Sequence, residues 1–286
     1  MSFHRAKAAL VGTRFADLRS VADTGSTNAD MRSLLDDAAL AGAGSTAPIV
    51  LLADHQSAGR GRLDRTWQAP AGSSVLMSIG LPVAHIPQER RSLLTTCLAL
   101  SVTDATAALG VASVQIKWPN DLVVDPPTDE PIASAADAGP GYRKIGGILA
   151  ELYPVDGLGD CMILGIGLNV NWPEIPDELS VLASSLNSLA GHELDRDDLV
   201  IELLTSLDRV WLPALDGSGS QRLGGAYAER SATLGRDVRI ELPVGQLEGR
   251  ALRVTPDGAL VVLDTDGVEH TVTVGDVVHL RPIRGR

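Results

Sequence analysis

Apolar side chains recur at helical spacing in three stretches of the chain. In residues 28–40 they follow a period of about 3.6, which predicts an amphipathic helix with Thr27 or Asn28 as its N-cap. The same spacing in residues 91–109 and 194–212 predicts two longer helices.

Shorter, mostly apolar runs without helical spacing predict β-strands. The predicted strands are residues 49–53, 73–81, 114–117, 122–124, 144–153 and 161–170. A Pro-Val-Asp-Gly-Leu-Gly-Asp turn separates the last two, which therefore predict a hairpin. The short pair at 114–117 and 122–124 lies on either side of a Trp-Pro-Asn-Asp turn.

Beyond residue 233 the pattern changes to short alternating strands with intervening turns. Residues 236–281 have the length and the pattern of short strands and turns that are typical of a small β-barrel. Residues 125–141, rich in Pro, Ala, Asp and Gly, predict a mobile loop, and residues 216–220 predict a linker. The chain is thus expected to form an α+β domain of about 225 residues followed by a small all-β domain.

Composition narrows the possible classes of protein. Hydrophobic residues make up 44% of the 286, enough for a substantial core. The net charge of −12 argues against general nucleic-acid binding, which needs a basic face. No apolar run approaches the length of a membrane span, and the N-terminus is too polar for a signal peptide, so a cytoplasmic location is predicted. Cys97 and Cys161 lie in apolar runs without metal-ligand spacing, which predicts buried thiols and excludes a structural zinc site.

The densest candidate chemistry is the sequence Gln-Ser-Ala-Gly-Arg-Gly-Arg-Leu-Asp-Arg at residues 56–65. Arg60, Arg62 and Arg65 repel one another unless an anion lies among them, and a phosphate suits three guanidinium groups. The alternative is a solvated arginine-rich loop. The segment is not a Walker loop, since it lacks the Gly-Lys-Ser/Thr ending.

Three further segments carry candidate binding groups, each with a structural alternative. Gly-Ser-Thr-Asn at 25–28 offers a ligand three polar side chains, or is an ordinary helix cap. Lys-Trp-Pro-Asn-Asp at 117–121 offers a cation, a stacking indole and oxygens suited to Mg²⁺, or is a tight turn with a buried tryptophan. The glycines of 144–151 and 165–170 leave room for a flat ligand, or for close packing of the sheet.

Lysine is rare in this chain. Of the 24 basic residues only Lys7, Lys117 and Lys144 are lysines. The two internal ones are either accidental or perform chemistry that needs a flexible ammonium in place of a planar guanidinium.

In their order along the chain, these segments resemble the biotin protein ligases, and the resemblance spans residues 21–283. The matching sequences are GSTN at 25–28, Gln56 with GRGR at 59–62, KWPND at 117–121, KIGGILAE at 144–151, GIGLNV at 165–170, ASSL at 183–186 and VVHLR at 277–281. The resemblance implies a class II synthetase-like catalytic domain at 1–230, with a mixed, largely antiparallel sheet flanked by helices. It implies a small SH3-like β-barrel at 231–286.

The implied activity is that of an ATP-dependent, AMP-forming ligase. Biotin is activated as biotinyl-5′-adenylate and then transferred to a lysine of a biotin carboxyl carrier domain of carboxylases. ATP, Mg²⁺ and the substrate biotin are the implied small molecules. Two other readings stay open: a lipoate- or octanoyl-transferring relative of the same catalytic fold, and a non-catalytic biotin-binding protein.

The resemblance also implies roles for individual residues. Arg60, Arg62 and Lys144 are the implied catalytic residues. The implied biotin site consists of Ser26, Thr27, Asn28, Gln56, Arg60, Gly61, Arg62 and Lys144. The implied ATP site consists of Arg62, Trp67, Asn169 and Arg281, and the implied metal ligands are Asn120, Asp121 and Asn169.

Some members of the family carry an N-terminal winged helix-turn-helix and also repress transcription. Only 24 residues precede Gly25, which predicts the monofunctional form without DNA binding. The chain departs from the family at 125–143, where other members often have a tight hairpin. Because Lys144 follows this stretch directly, its position is harder to predict than that of Arg60.

Overall fold

The computed structural model of the chain describes residues 3–41, 47–63, 65–126, 141–216, 219–273 and 275–279. Most of the 125–141 segment and everything from residue 280 onward lie outside these ranges. The mobile loop and the placement of Arg281 therefore stay predictions. Within the described ranges, no helix combines the length and apolar character that crossing a bilayer requires.

The α-helices of the described residues are α1 (His4–Ala9), α2 (Thr27–Leu40), α3 (Leu93–Ala108), α4 (Asp177–Ser180), α5 (Leu186–Ala190), α6 (Arg196–Ser206) and α7 (Gly219–Glu229). Helices α2 and α3 confirm the predictions at 28–40 and 91–109 to within two residues at each end. The predicted helix at 194–212 is α6 continued by a π-helical turn, Leu207–Trp211. Helix α7 begins inside residues 216–220, so the linker prediction there is wrong in part.

The first 170 residues supply the strands of a large sheet and a short ribbon. They are β1 (Asp17–Thr24), β2 (Ile49–Gln56), β3 (Gly59–Arg60), β4 (Thr66–Trp67), β5 (Ser74–Pro82), β6 (Gln115–Lys117), β7 (Asp121–Val124), β8 (Arg143–Val155) and β9 (Gly159–Asn169). The seven-stranded sheet has the order β1-β2-β5-β9-β8-β7-β6, and β3 with β4 forms the ribbon. Only β1 and β2 pair in parallel among these strands, which confirms a mixed, largely antiparallel sheet. The predicted hairpin is β8–β9.

The sheet is covered on both faces. Alternate residues of β2 face opposite sides: Val50 and Leu52 join the main core, whereas Ile49 and Leu51 pack with α2. Strand β5 is buried along its whole length, which explains its nearly continuous apolar sequence. Cys97 and Cys161 are buried free thiols, as predicted, and burial raises the pKa of Cys97 to about 12.

The C-terminal part forms a five-stranded antiparallel sheet. Its strands are β10 (Asp237–Glu241), β11 (Gln246–Val254), β12 (Leu260–Asp264), β13 (Glu269–Val272) and β14 (Asp276–His279), in the order β13-β12-β11-β10-β14. The predicted turns fall between these strands. Among the described residues the sheet is open between β13 and β14, so the structure gives a barrel-like sheet without closure.

Trp118 joins the C-terminal sheet to the large one. Its indole Nε1 donates to the Gly258 carbonyl at 3.0 Å, and its backbone N–H donates to Thr233 Oγ1 at 3.0 Å. The side chain is 3% exposed. The alternative of a turn with a buried tryptophan is therefore confirmed for Trp118, and the stacking role is not what the structure shows.

Candidate functional site

A cavity of about 390 Å³ opens beside β8 and β9, under the β3–β4 ribbon. The predicted site residues that line it are Ser26, Thr27, Asn28, Gln56, Arg60, Gly61, Arg62, Trp67, Asn120, Asp121, Lys144 and Asn169. They come from segments up to 143 positions apart, so the fold and not the local sequence brings them together. Arg281 lies outside the described residues.

One end of the cavity is a network of the neutral hydrogen-bonding groups of Thr27, Asn28, Gln56 and Ser78, which ends at the Glu151 carboxylate. The backbone N–H and Oγ1 of Thr27 donate to Gln56 Oε1, at 2.8 and 3.0 Å. Ser78 Oγ lies 2.8 Å from Thr27 Oγ1 and 2.6 Å from Asn28 Oδ1, and Asn28 Nδ2 donates to Glu151 at 2.8 Å. Ser26 is the N-cap of α2 but makes no side-chain cap hydrogen bond. The predicted N-cap, Thr27 or Asn28, is therefore wrong by one or two residues, and the side chains of these two residues face the network instead.

Ser78 and Glu151 are site residues that the sequence reasoning missed. Ser78 is fully buried in the middle of β5, and Glu151 accepts from Arg60, Arg32 and Asn28. Neither stands out in the sequence, since β5 also contains Ser74 and β8 also contains Arg143 and Lys144. A buried hydroxyl needs hydrogen-bond partners, as does a partly buried carboxylate, and here the partners are the site residues.

The glycines of the site make room for other site residues. A Cβ at Gly165 would lie 2.2 Å from Asn28 Oδ1, and a Cβ at Gly167 would lie 2.5 Å from the Trp67 ring. A Cβ at Gly147 would lie 3.2 Å from Lys144 Nζ. The sequence interpretation gave this space to a flat ligand. In the structure these side chains occupy it and form the cavity wall.

Arg60, Arg62 and Arg65 line the cavity from the β3–β4 ribbon and the turn that joins its two strands. Arg60 Nη2 donates to both carboxylate oxygens of Glu151, at 2.9 and 3.0 Å. Arg62 donates to Asn120 Oδ1 at 3.1 Å and lies 3.6 Å from the Asp276 carboxylate, which also pairs with Arg65. Carboxylates thus supply part of the negative charge that three neighbouring guanidinium groups require.

Lys144 reaches the cavity from the start of β8. Its backbone is fixed by segment 182–184, since Lys144 N donates to the Leu182 carbonyl at 2.8 Å and its carbonyl accepts from Ser184 N at 2.9 Å. Its ammonium lies 2.6 Å from Asp121 Oδ1 and 5.7 Å from the centre of the Trp67 ring. The backbone contacts fix Lys144 independently of the stretch that precedes it.

Lys117 lies on the other side of the same carboxylate. Its ammonium is 3.7 Å from Asp121 Oδ2 and 5.1 Å from the centre of the Tyr142 ring. Burial lowers the pKa of Lys117, Asp121 opposes that effect, and the nearby charge of Lys144 adds to it. Burial likewise raises the pKa of Tyr142 to about 12.

The candidate metal ligands do not fit a pre-formed magnesium site. Asn120 Oδ1 accepts from Arg62, and both oxygens of Asp121 face lysine ammonium groups. Within the described part of the chain, no cluster of three or more His, Cys, Asp or Glu could hold a metal ion. Asn169 Oδ1 is buried and, among the described residues, has no hydrogen-bond partner, so it remains an acceptor for a bound molecule.

Two family models match the chain. The Biotin/lipoate A/B protein ligase family matches residues 28–169, and the Biotin protein ligase C terminal domain matches residues 233–280. The first match contains most of the cavity residues, and the second contains Asp276.

Known proteins and solved structures give the same result. The chain is 36% identical over 279 residues to the biotin--[acetyl-CoA-carboxylase] ligase of Mycobacterium tuberculosis, covering 94% of this chain and 91% of that protein. It is 28% identical over 222 residues to the bifunctional ligase/repressor BirA of Bacillus subtilis, covering 77% of this chain and 63% of that protein. The structure of biotin protein ligase from Aquifex aeolicus in complex with biotin and ATP has a TM-score of 0.72 at 25% identity, covering 93% of this chain and 100% of that one.

Proposed function

The chain belongs to the biotin protein ligase family, and on that premise we propose that its cavity forms biotinyl-5′-adenylate and passes the biotinyl group to a lysine of a carrier protein. Residues 1–230 would form the domain that binds biotin and ATP, and residues 231–286 the small C-terminal domain. ATP is the co-substrate, and Mg²⁺ accompanies it as the partner of its phosphates.

The observation that carries this proposal is that neutral hydrogen-bonding side chains line one end of the cavity, whereas Arg62 and Lys144 line the other. The ureido group of biotin is neutral and both donates and accepts hydrogen bonds, which suits the network of Thr27, Asn28 and Gln56. The biotin carboxylate and the ATP phosphates are anions, which suit Arg62 and Lys144. A single molecule of biotin can therefore place its ring at one end and its carboxylate at the other.

In the first half-reaction, a carboxylate oxygen of biotin attacks the α-phosphorus of ATP. The bond from that phosphorus to the oxygen bridging to the β-phosphate breaks, and pyrophosphate leaves. Because both reactants are anions, Arg62 and Lys144 would neutralise charge and fix the approach of the two groups. Arg60, which pairs with Glu151 in the structure, is proposed to join them by exchanging that carboxylate for the ligand. The ammonium of Lys144 has three protons, so it can bind Asp121 and still donate to an acyl and a phosphoryl oxygen.

The nucleotide would lie at the Trp67 and Asn169 side of the cavity. The buried Asn169 Oδ1 can accept a hydrogen bond from a hydroxyl or amino group of ATP. An apolar rim of Trp172, Leu179 and Leu182 borders this side and suits a planar base. Arg281 is also proposed to contact ATP. When bound, Mg²⁺ would supply charge neutralisation at the phosphates, while Asn120 and Asp121 keep their contacts with Arg62 and the two lysines.

In the second half-reaction, the acceptor lysine amine attacks the carbonyl carbon of the mixed anhydride. The acyl–phosphate C–O bond breaks, AMP leaves, and the amine releases a proton to solvent. The proposed acceptor is the biotin carboxyl carrier domain of a carboxylase, in the cytoplasm. The choice of a carboxylase as acceptor is supported by the mycobacterial relative, which is a biotin--[acetyl-CoA-carboxylase] ligase.

The whole reaction is tested by mass spectrometry of an acceptor. The chain is incubated with biotin, ATP, Mg²⁺ and a biotin carboxyl carrier domain, alongside a carrier whose acceptor lysine is replaced by arginine. The proposal expects the intact carrier to gain one biotinyl group and the substituted carrier to gain none. A carrier labelled only when lipoate or octanoate replaces biotin would identify the lipoyl-type relative, and binding of biotin without any labelling would identify a non-catalytic binder.

Ligand binding is expected to protect the arginine segment from proteolysis. Residues 57–67 combine glycines with like charges, so an anion bound among the arginines offsets the entropy of ordering them. Trypsin should therefore cleave at Arg60, Arg62 or Arg65 more slowly when biotin and ATP are present together. Cleavage at equal rates with and without the ligands would contradict this expectation.

Gly165→Ala is expected to raise the KM for biotin at least about tenfold, the factor expected for losing one or two buried hydrogen bonds. The new methyl group would overlap Asn28 Oδ1, so the Asn28 amide must leave its partners Ser78 and Glu151. Gly224→Ala is the matched control, because a Cβ at that helical position has open space around it. An unchanged KM in the Gly165 variant would show that Asn28 does not contribute to the biotin site.

A further inference from the structure

A carboxylate held between two lysines is the part of the cavity that the proposed chemistry does not explain. Asp121 lies 2.6 Å from the ammonium of Lys144 and 3.7 Å from that of Lys117. We propose that Asp121 is a positioning residue that holds Lys144 in the cavity, with Lys117 as its permanent counter-ion, and that it does not ligate magnesium. This inference rests on the proposed function, since it concerns the lysine that binds the adenylate.

The strand register places these groups on one face of the sheet. Lys117 is directly opposite Asp121 in the β6–β7 pair, and Gly147 is directly opposite Asp121 in the β7–β8 pair. Directly opposed residues of neighbouring strands project on the same side. Lys117, Asp121 and position 147 therefore share a face by pairing alone.

A register shift in β8 brings Lys144 to that face. Residues three apart in a regular strand point to opposite sides, so Lys144 and position 147 should be on different faces. The pairing shifts between Leu122↔Gly146 and Val123↔Lys144, which leaves Ile145 as an extra residue in β8. A bulge of this kind redirects the side chain beside it. It turns Lys144 towards Asp121.

Gly147 leaves room for the side chain of Lys144. A Cβ at position 147 would lie 3.2 Å from both Cε and Nζ of Lys144 and 3.6 Å from Asp121 Oδ1. The Lys144 side chain thus crosses over the glycine to reach the carboxylate. The glycine at 147, the bulge in β8 and the Asp121 carboxylate therefore all favour the same orientation of the Lys144 ammonium.

The charges explain why two lysines are present. Lys117 is 5% exposed and stays beside Asp121, whereas the side chain of Lys144 is 35% exposed and faces the cavity. When Lys144 engages an anionic ligand, Lys117 still balances the buried carboxylate. A magnesium ion ligated by Asp121 would lie next to two ammonium groups, and like charges at such distances repel strongly.

The test measures release of biotinyl-adenylate in the absence of metal. The folded chain is loaded with chemically prepared biotinyl-5′-adenylate in EDTA, and its rate of release is measured for wild type, Asp121→Asn, Lys144→Met and the double variant. Asp121→Asn is expected to speed release about tenfold, as for loss of one hydrogen bond to a charged group. In the Lys144→Met background the same substitution should have no further effect, because the residue it positions is gone.

Asp276→Asn is the matched control. Asp276 is a cavity carboxylate of similar exposure, 19% against 16% for Asp121, but it pairs with Arg62 and Arg65. Its effect on release should be the same factor with and without Lys144. If Asp121→Asn also acts by the same factor in both backgrounds, or leaves release in EDTA unchanged, the proposal is overturned. A higher Mg²⁺ requirement for adenylate formation with unchanged release would assign Asp121 to the metal.

A second variant separates positioning from folding. Asp121→Asn leaves Lys117 buried without its counter-ion, so a lower melting temperature is expected, and adding Lys117→Met should restore it. Fast adenylate release in the restored double variant supports the positioning role, and slow release overturns it. If wild type itself fails to hold biotinyl-adenylate, the proposed function has failed. If wild type holds it but the two substitutions act independently, only this inference fails.

Discussion

Lys144→Arg is expected to lose most adenylate formation, on the order of 10²-fold or more, comparable to loss of one preorganised oxyanion donor. The substitution keeps the charge but replaces a point charge on a flexible stem with a larger, planar fork. The ammonium of Lys144 is fitted between Asp121 at 2.6 Å and the open space at Gly147. A guanidinium cannot enter that space without displacing Asp121 or Trp67. The measurement is pyrophosphate exchange at saturating ATP.

Lys117→Arg is the control for this experiment. Lys117 does not line the cavity, so its replacement should reduce exchange much less than replacement of Lys144. Because it is buried, the larger side chain should instead lower the melting temperature. If Lys144→Arg stays near wild-type activity while Lys117→Arg loses activity at unchanged stability, the two lysines have been assigned the wrong way round.

Arg62→Ala is expected to let biotinyl-adenylate escape from the cavity, shortening its residence by about tenfold or more, as for loss of a charge-assisted bidentate contact. Arg62 is held by Asn120 and the Gly275 carbonyl, and it lies 3.6 Å from Asp276. These contacts aim its guanidinium over the proposed phosphate position. Release of the adenylate should raise labelling of exposed lysines on bystander proteins and slow transfer to the carrier domain.

Arg65→Ala serves as the comparison. Arg65 pairs with the same Asp276, but its side chain is 66% exposed against 25% for Arg62. Its loss should change adenylate retention much less. Retention as tight as wild type in Arg62→Ala would remove Arg62 from the phosphate site. If Arg62→Ala also weakens the binding of biotin in the absence of ATP, Arg62 contacts the biotin carboxylate.

The buried strands and the longer helices were predictable from the sequence, because the spacing of their apolar residues follows from which side chains are buried. Strand β5 and helix α3 were found almost to the residue. Strand β1 was missed because it is the exposed edge of the sheet, with Leu18 as its only buried residue, so its sequence has no strand-like alternation. Helix α7 was missed because its glycines and serine are typical of a linker.

The composition of the site was predictable from its motifs, but its internal contacts were not. Gly-Arg-Gly-Arg and Lys-Trp-Pro-Asn-Asp both supply residues that line the cavity. Their partners Ser78, Glu151 and Asp276 come from distant strands, and only the sheet register shows which side chains meet. Asp121 is an example. Its residue type favoured a role as a metal ligand, but the register shift in β8 places the Lys144 ammonium beside its carboxylate.

Biotin-dependent exchange of labelled pyrophosphate into ATP tests the proposed function without an acceptor protein. Exchange requires reversible formation of an adenylate and needs no acceptor protein, so it isolates the chemistry assigned to the cavity. We expect exchange with biotin, little or none when lipoate or octanoate replaces it, and loss of exchange in Lys144→Arg. Exchange that does not depend on biotin, or that is faster with lipoate or octanoate, would contradict the proposed function.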